Sequence, residues 1–295
     1  MSDFSNNKKP EPCIKCWKNE ELDIKSKRQF SNEFLDYKLN TDLAKLEFNA
    51  HDNKSNIVMY QISASNLCNG ACVTCNSTGS TAWAKYEEKM GVKSNKLMKS
   101  SIIDINYQTA KSIIFTGGEP LFDPLVFNIL SNLIEVNNTD CFISFVTNGS
   151  VSLSNKHEEI LNKFSAINFC ISIDGTGRVF EYLRFPLKWN KLLENLSYFR
   201  TITNNISVSY TISNISAIYK DDTITWFKDQ NLPYAINKVY YPHHFSPDVL
   251  PGHELWSKFV QTIKMQDKAK GIDIKDYLPD MYKLLTQGII DVQSI

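Results

Sequence analysis

The stretch SNLCNGACVTCNSTGS, residues 65 to 80, places Cys68, Cys72 and Cys75 within eight residues, in the spacing Cys-x3-Cys-x2-Cys. Thiolates ligate zinc or iron-sulfur clusters. A structural zinc site closes with four protein ligands, as Cys-x2-Cys pairs or with histidines at fixed offsets, and no fourth ligand stands near these three. A cubane cluster held by three cysteines keeps one iron open to a ligand that is not protein, and ligands on one short loop suit a single cluster. The neighbouring residues, NGA and NST, are polar, unlike the surroundings of buried, inert thiols.

Other chemistry-bearing motifs end apolar runs. TGGEP (116 to 120) sets Gly117 and Gly118 after a buried strand, where missing side chains let backbone approach a ligand and form an anion- or ammonium-binding concavity. Glu119 adds a carboxylate and Pro120 stiffens the exit. TNGS (147 to 150) and SIDGTG (172 to 177) follow two later runs. Glycine is scarce, 11 in 295 residues, so its gathering behind these runs is informative.

Those runs define the elements that must position the motifs. Residues 57 to 63, 112 to 116, 141 to 147, 167 to 173, 206 to 212 and 235 to 241 are short, apolar and rich in β-branched and aromatic types, which predicts six strands. Helical patterns at 81 to 90, 125 to 136, 156 to 164, 188 to 200 and 221 to 230 alternate with them. Strands apolar on both faces and separated by helices pair in parallel through right-handed crossovers. Six such units predict an α/β fold, a partial (β/α)6 TIM-like barrel, with the motifs gathered at the mouth formed by the strands' C-terminal ends. Residues 51 to 242 form this core, residues 1 to 50 an N-terminal extension, and residues 243 to 295 a C-terminal extension with helices at 252 to 268 and 274 to 287.

Composition narrows the classes. Apolar residues at 42% and charged ones at 22% are globular, and Lys plus Arg equal Asp plus Glu at 32 each, so the total charge gives no nucleic-acid signal. The polar start, MSDFSNNKKPEPC, has no apolar signal region, and no run suits a membrane span, which predicts a cytoplasmic protein. Seven cysteines, an odd number in such a chain, favour metal or redox chemistry over disulfides. Cys141 and Cys170 lie inside strands and read as core. Trp83, Trp189, Trp226 and Trp256 read as core or helix-packing residues. His243 and His244 fall near the mouth, where partnerless loop histidines seldom act.

CNGACVTC and GGEP together resemble the radical S-adenosylmethionine enzymes, over about residues 57 to 242. The resemblance implies a 4Fe-4S cluster on Cys68, Cys72 and Cys75, whose open iron chelates S-adenosyl-L-methionine. It implies that Gly117, Gly118, Glu119 and Pro120 meet the methionyl amino group and that Ser172 and Asp174 contact the ribose or methionyl end. Asn148 and Thr211 become pocket walls, and Arg184 of YLRFP faces the cofactor carboxylate. A one-electron donor such as flavodoxin or ferredoxin reduces the cluster, and a 5′-deoxyadenosyl radical then abstracts hydrogen from a peptide, protein or small-molecule substrate. Thr74 departs from the pattern, because relatives place a bulky side chain near the adenine there.

EPCIKCWKNEELDIKSKRQFSNEF (11 to 34) resembles the tail of a SPASM/twitch auxiliary-cluster segment, with Cys13 and Cys16 ahead of a Glu and a Ser-x-Arg. Three readings stand: a remnant, which is favoured; a second metal or cluster at Cys13 and Cys16 completed by histidines or another chain; or a start codon set too late. The basic run 25 to 28 reads as a solvated face. Two functional classes follow, a catalytic enzyme and a non-turnover relative that binds a cluster or partner; a structural zinc protein is a weaker third.

Overall fold

In a computed structural model, which describes residues 9–23, 25–33, 57–99 and 104–287, the six expected strands form one sheet. They are β1 (Met59–Ser63), β2 (Ser112–Thr116), β3 (Phe142–Thr147), β4 (Ile167–Ser172), β5 (Ile206–Ile212) and β6 (Tyr234–Lys238). Every neighbouring pair is parallel and the order follows the chain. The sheet is an open α/β partial barrel, as the alternation predicts.

The described helices are α1 (Ile14–Glu21), α2 (Lys27–Glu33), α3 (Ala84–Lys89), α4 (Pro124–Glu135), α5 (Asn155–Leu161), α6 (Gly177–Leu183), α7 (Trp189–Ile202), α8 (Lys220–Asp229), α9 (Trp256–Lys270), α10 (Ile274–Tyr277) and α11 (Pro279–Gln287). Local chemistry sets their ends. Asp123 and Ser154 cap α4 and α5 by accepting from Leu125 N and His157 N, and Gly91 and Gly271 close α3 and α9 with positive φ. Helix α6 escapes the sequence pattern because its first residue is Gly177, in a run that reads as a loop.

The two sheet faces differ. Outward, Phe115, Phe145 and Phe169 stack in register at 5.5 Å each, and Phe169 stacks on Phe199 of α7 at 4.3 Å. With Ile113, Ile143 and Ile171 they form the main core. A closed barrel fills its interior with layers of branched apolar side chains. Here Gln61, Ile114, Ser144 and Asn168, paired in one row, line an open cavity of about 1220 Å³ at the strands' N-terminal ends. Two residues further along each strand the same face carries Ser63, Thr116, Val146 and Cys170, and then Ser172 on β4.

Cys170 is therefore half-buried on the lumen side, a correction to its reading as core. The β4 period of two puts Phe169 and Ile171 outward and Cys170 inward. Cys141 is buried in the core as expected. Trp83 is fully buried, and Trp189, Trp226 and Trp256 pack half-buried against the two larger cores. The second of these joins α6, the 3-10 turn His243–Phe245, α9, α10 and α11 with Val73 of the cysteine loop. Of the N-terminal extension, the stretch from 34 to 50 lies outside the described residues, as do residues 1 to 8. No described helix is long and apolar enough to cross a membrane.

Candidate functional site

The cysteine loop leaves β1 at the mouth and is fixed from several sides. Ala71 N donates to Phe185 O at 2.6 Å and Val73 N to Leu183 O at 2.8 Å, so the loop pairs with the end of α6. Thr81 Oγ1 bonds both the N and O of Cys68 at 3.2 Å, Ser80 Oγ donates to Gly70 O at 2.5 Å, and Trp83 Nε1 donates to Cys72 O at 2.9 Å. Gln266 of α9 donates to Val73 O at 3.1 Å. Asn66 crosses the loop's base, donating to Ser77 O at 2.9 Å and Lys96 O at 3.1 Å while accepting from Met98 N at 2.7 Å. These clamps were not foreseen. They join residues far apart in sequence, and only the Asn and Ser types hinted at loop hydrogen bonding.

The thiols suit cluster ligation. Gly70 N points at Cys68 Sγ at 3.4 Å, a contact that favours the thiolate. An added Cβ would lie 3.4 Å from Cys72 Sγ at Gly70 and 3.1 Å from Cys75 Sγ at Gly79, so glycines leave space beside two sulfurs. Burial raises all three thiols, Cys72 to about 12, with the Arg184 charge opposing the rise. Metal ligation must therefore displace protons. Among the described residues no three His, Cys, Asp or Glu side chains converge on one metal ion.

The glycine pair packs against the stem of the cysteine loop. An added Cβ at Gly117, whose φ is +110°, would stand 2.6 Å from Ser63 Oγ and 2.8 Å from Ser65 O; at Gly118 it would overlap the Leu67 carbonyl. Gly118 N donates to Ser65 O at 2.9 Å and Glu119 N to Leu67 O at 2.8 Å. The close approach is thus between the GGEP segment and the stem of the cysteine loop. With these two amides occupied, the segment offers carbonyl oxygens to a ligand.

Glu119 is 1% exposed and tied into the protein. Its Oε1 accepts from Thr147 Oγ1 at 2.6 Å and Leu121 N at 3.1 Å, and its Oε2 from Asn148 N at 2.7 Å. Burial raises its pKa against these three bonds. Pro120, buried with Leu121, begins a 3-10 turn, Pro120–Phe122. Asn148 Nδ2 reaches Asn69 Oδ1 at 2.9 Å and lies 3.9 Å from Cys68 Sγ, joining the end of β3 to the first cysteine.

Across the mouth, Arg184 Nη2 pairs with Asp174 Oδ2 at 2.7 Å, and Asp174 Oδ1 accepts from Thr211 N at 3.0 Å. Burial opposes the guanidinium charge, but Asp174 and the nearby thiols raise the Arg184 pKa. Arg184 Nε is buried without a partner, a donor available to an anion. Ser172 ends β4 half-buried beside this pair, and Thr74 sits half-buried in the loop. His244 is buried with Nε2 unpartnered and its pKa lowered by burial; its neighbours are Phe245 and, through its carbonyl, Asn214. His243 packs on Tyr241.

The N-terminal motif folds as one knot. Arg28 donates from Nε and Nη2 to the two oxygens of Glu20 at 3.2 and 2.6 Å, Ser26 Oγ donates to the same carboxylate, and the guanidinium lies 4.6 Å from the Trp17 ring. Cys13 and Cys16 stand half-buried one turn apart at the start of α1.

No family model matches the sequence, and no curated protein does. Solved structures with a similar outline include native anSMEcpe with bound AdoMet, at 17% identity and TM-score 0.48 over 79% of this chain and 68% of that one. Others are Streptococcus suis SuiB bound to S-adenosylmethionine, at 14% and 0.47 over 87% and 57%, and SuiB bound to precursor peptide SuiA, at 15% and 0.41 over 61% and 38%. This chain thus spans only part of each SuiB chain.

Proposed function

We propose that this protein is a radical S-adenosylmethionine enzyme whose 4Fe-4S cluster is held by Cys68, Cys72 and Cys75. The observation that carries the reading is the composition of one barrel mouth. A clamped three-cysteine loop, a GGEP segment docked on that loop, and a half-buried arginine with a buried, unpartnered Nε donor converge there. Once bound and reduced by a one-electron donor such as flavodoxin or ferredoxin, the cluster and cofactor supply homolytic cleavage of S-adenosylmethionine and hydrogen abstraction from a substrate.

The chain's own residues bind and orient. Arg184 Nε faces the cofactor carboxylate, and Asp174 holds the guanidinium in place. The carbonyls of Gly117 and Gly118 receive the methionyl ammonium, a role that suits a segment whose amides are occupied. Ser172 and Thr211 wall the ribose side. Asn148 spans from β3 to Cys68, and Glu119 with Pro120 fixes the segment rather than touching the ligand.

The substrate enters the lumen, where Gln61, Ser144, Asn168 and Ser207 present amides and hydroxyls suited to peptide backbone, with Arg200, whose guanidinium donates to Gln230 O, in the same lining. Cys13 and Cys16 belong to a remnant of a SPASM/twitch-like segment, and the protein works in the cytoplasm, where thiols stay reduced.

Anaerobic reconstitution with iron and sulfide, followed by dithionite and S-adenosylmethionine, tests the reading. The expected product is 5′-deoxyadenosine, absent with Cys72→Ala. Equal product from the variant, or none from a loaded wild type, sinks the catalytic reading; the second result leaves a cluster-binding relative without turnover.

A further inference from the structure

Lys270, the last residue of α9, is 8% exposed, the one buried lysine among the described residues. Its Nζ lies 4.4 Å from the centre of the Trp83 ring and 5.9 Å from that of Phe185, and donates to Gln266 Oε1 at 3.2 Å. These residues grip the cysteine loop: Trp83 bonds Cys72 O, Gln266 bonds Val73 O, and the Phe185 carbonyl receives Ala71 N. Cys75 packs against the same small cluster of Ala71, Trp83, Tyr86 and Ala269. A buried ammonium thus sits on the aromatic shelf that holds the loop carrying Cys72 and Cys75.

Taking an ammonium out of water is costly unless something compensates it. The Trp83 face gives part of that compensation, and Gln266 one hydrogen bond of the three Lys270 can donate. Asp267, the nearest acid on α9, is engaged by Tyr182 Oη and Ile274 N, both at 3.0 Å. Burial lowers Lys270 to about 8, with Cys72, Asp267 and Cys75 pulling the other way. Lys85 and Lys89, which lie over Tyr86, are not buried, so water and salt screen them.

We infer that Lys270 is the buried counter-charge of the cluster on Cys68, Cys72 and Cys75, a positioning residue that favours its reduced state. The inference rests on the proposed cluster. Each electron that enters makes the cluster with its thiolates one charge more negative, no bond is formed or broken, and a fixed cation in a poorly solvated site favours that state.

Redox titration of the reconstituted protein, followed by electron paramagnetic resonance with dithionite and mediator dyes, tests it. At the potential that half-reduces the wild type, Lys270→Met should have a reduced-to-oxidised ratio lower by about tenfold, which for one electron is ~59 mV. Lys270→Arg should track the wild type. A fully loaded Lys270→Met with an unchanged midpoint overturns the inference. If Lys270→Met and Lys270→Gln both fold by circular dichroism but take up no cluster while Lys270→Arg loads, the charge requirement stands; if Lys270→Arg also fails, the role is packing and the inference is wrong. A wild type that binds no iron and sulfide refutes the proposed cluster itself, and this inference with it.

Discussion

Two groups of cysteines in this chain have similar spacings and very different settings. Cys13 and Cys16 sit one turn apart on a short helix whose main anchor is the partly exposed Glu20–Arg28 pair. Cys68, Cys72 and Cys75 sit on a loop held by the end of α6, by Trp83, by Thr81 and by α9. Ligand-type residues become a site when the fold fixes them and excludes water around them. The first group has the residue types, and the second also has the surroundings.

The largest effect that sharpens the contrast is on metal content. Cys72→Ala should cut iron and sulfide incorporation at least tenfold, whereas Cys13→Ala with Cys16→Ala should leave it at the wild-type ratio. A drop of about half in the double variant would show a second cluster and break the comparison. Next comes Gly118→Ala, whose new methyl would meet the Leu67 carbonyl. Overpacking against backbone should cost about 3 kcal/mol in a urea melt. An unchanged midpoint would mean that the cysteine loop can move away from the GGEP segment.

A smaller effect concerns the foundation under α9. Burial raises Asp267 from 3.8 to about 6, against its bonds from Tyr182 and Ile274. Between these values the folded protein keeps a proton that the unfolded chain has lost. Stability therefore falls as pH rises from about 4 to 6, and Asp267→Asn should flatten that slope in urea midpoints. The smallest effect belongs to the N-terminal knot. Glu20→Gln should leave the global urea midpoint unchanged, because the pair it breaks is partly exposed and joins only residues of the N-terminal segment; a clear loss would tie that segment to the core.

Much of this arrangement was legible in the sequence. Strand positions were legible because each is a short run rich in β-branched and aromatic residues, and the mouth because glycine is scarce elsewhere. GGEP announced a close approach, yet not what approaches, since Ser65 and Leu67 contribute only backbone oxygens to it. Cys170 was misread because its neighbours Phe169 and Ile171 are apolar, while its own face of β4 carries Asn168 and Ser172. Helix α6 was hidden by Gly177. Gln266 and Lys270 carry no local signal, because their chemistry depends on meeting Val73 and Trp83 nearly two hundred residues earlier.

That last separation sets an order of events in the life of the chain. The cysteine loop leaves the ribosome early, whereas the helix that grips it at Val73 is made some 193 residues later. Domains generally fold as units, so the loop has only its earlier contacts with Thr81, Trp83 and the end of α6 until α9 arrives with Gln266. Loading of the proposed cluster would therefore be completed late, after its ligands have been made.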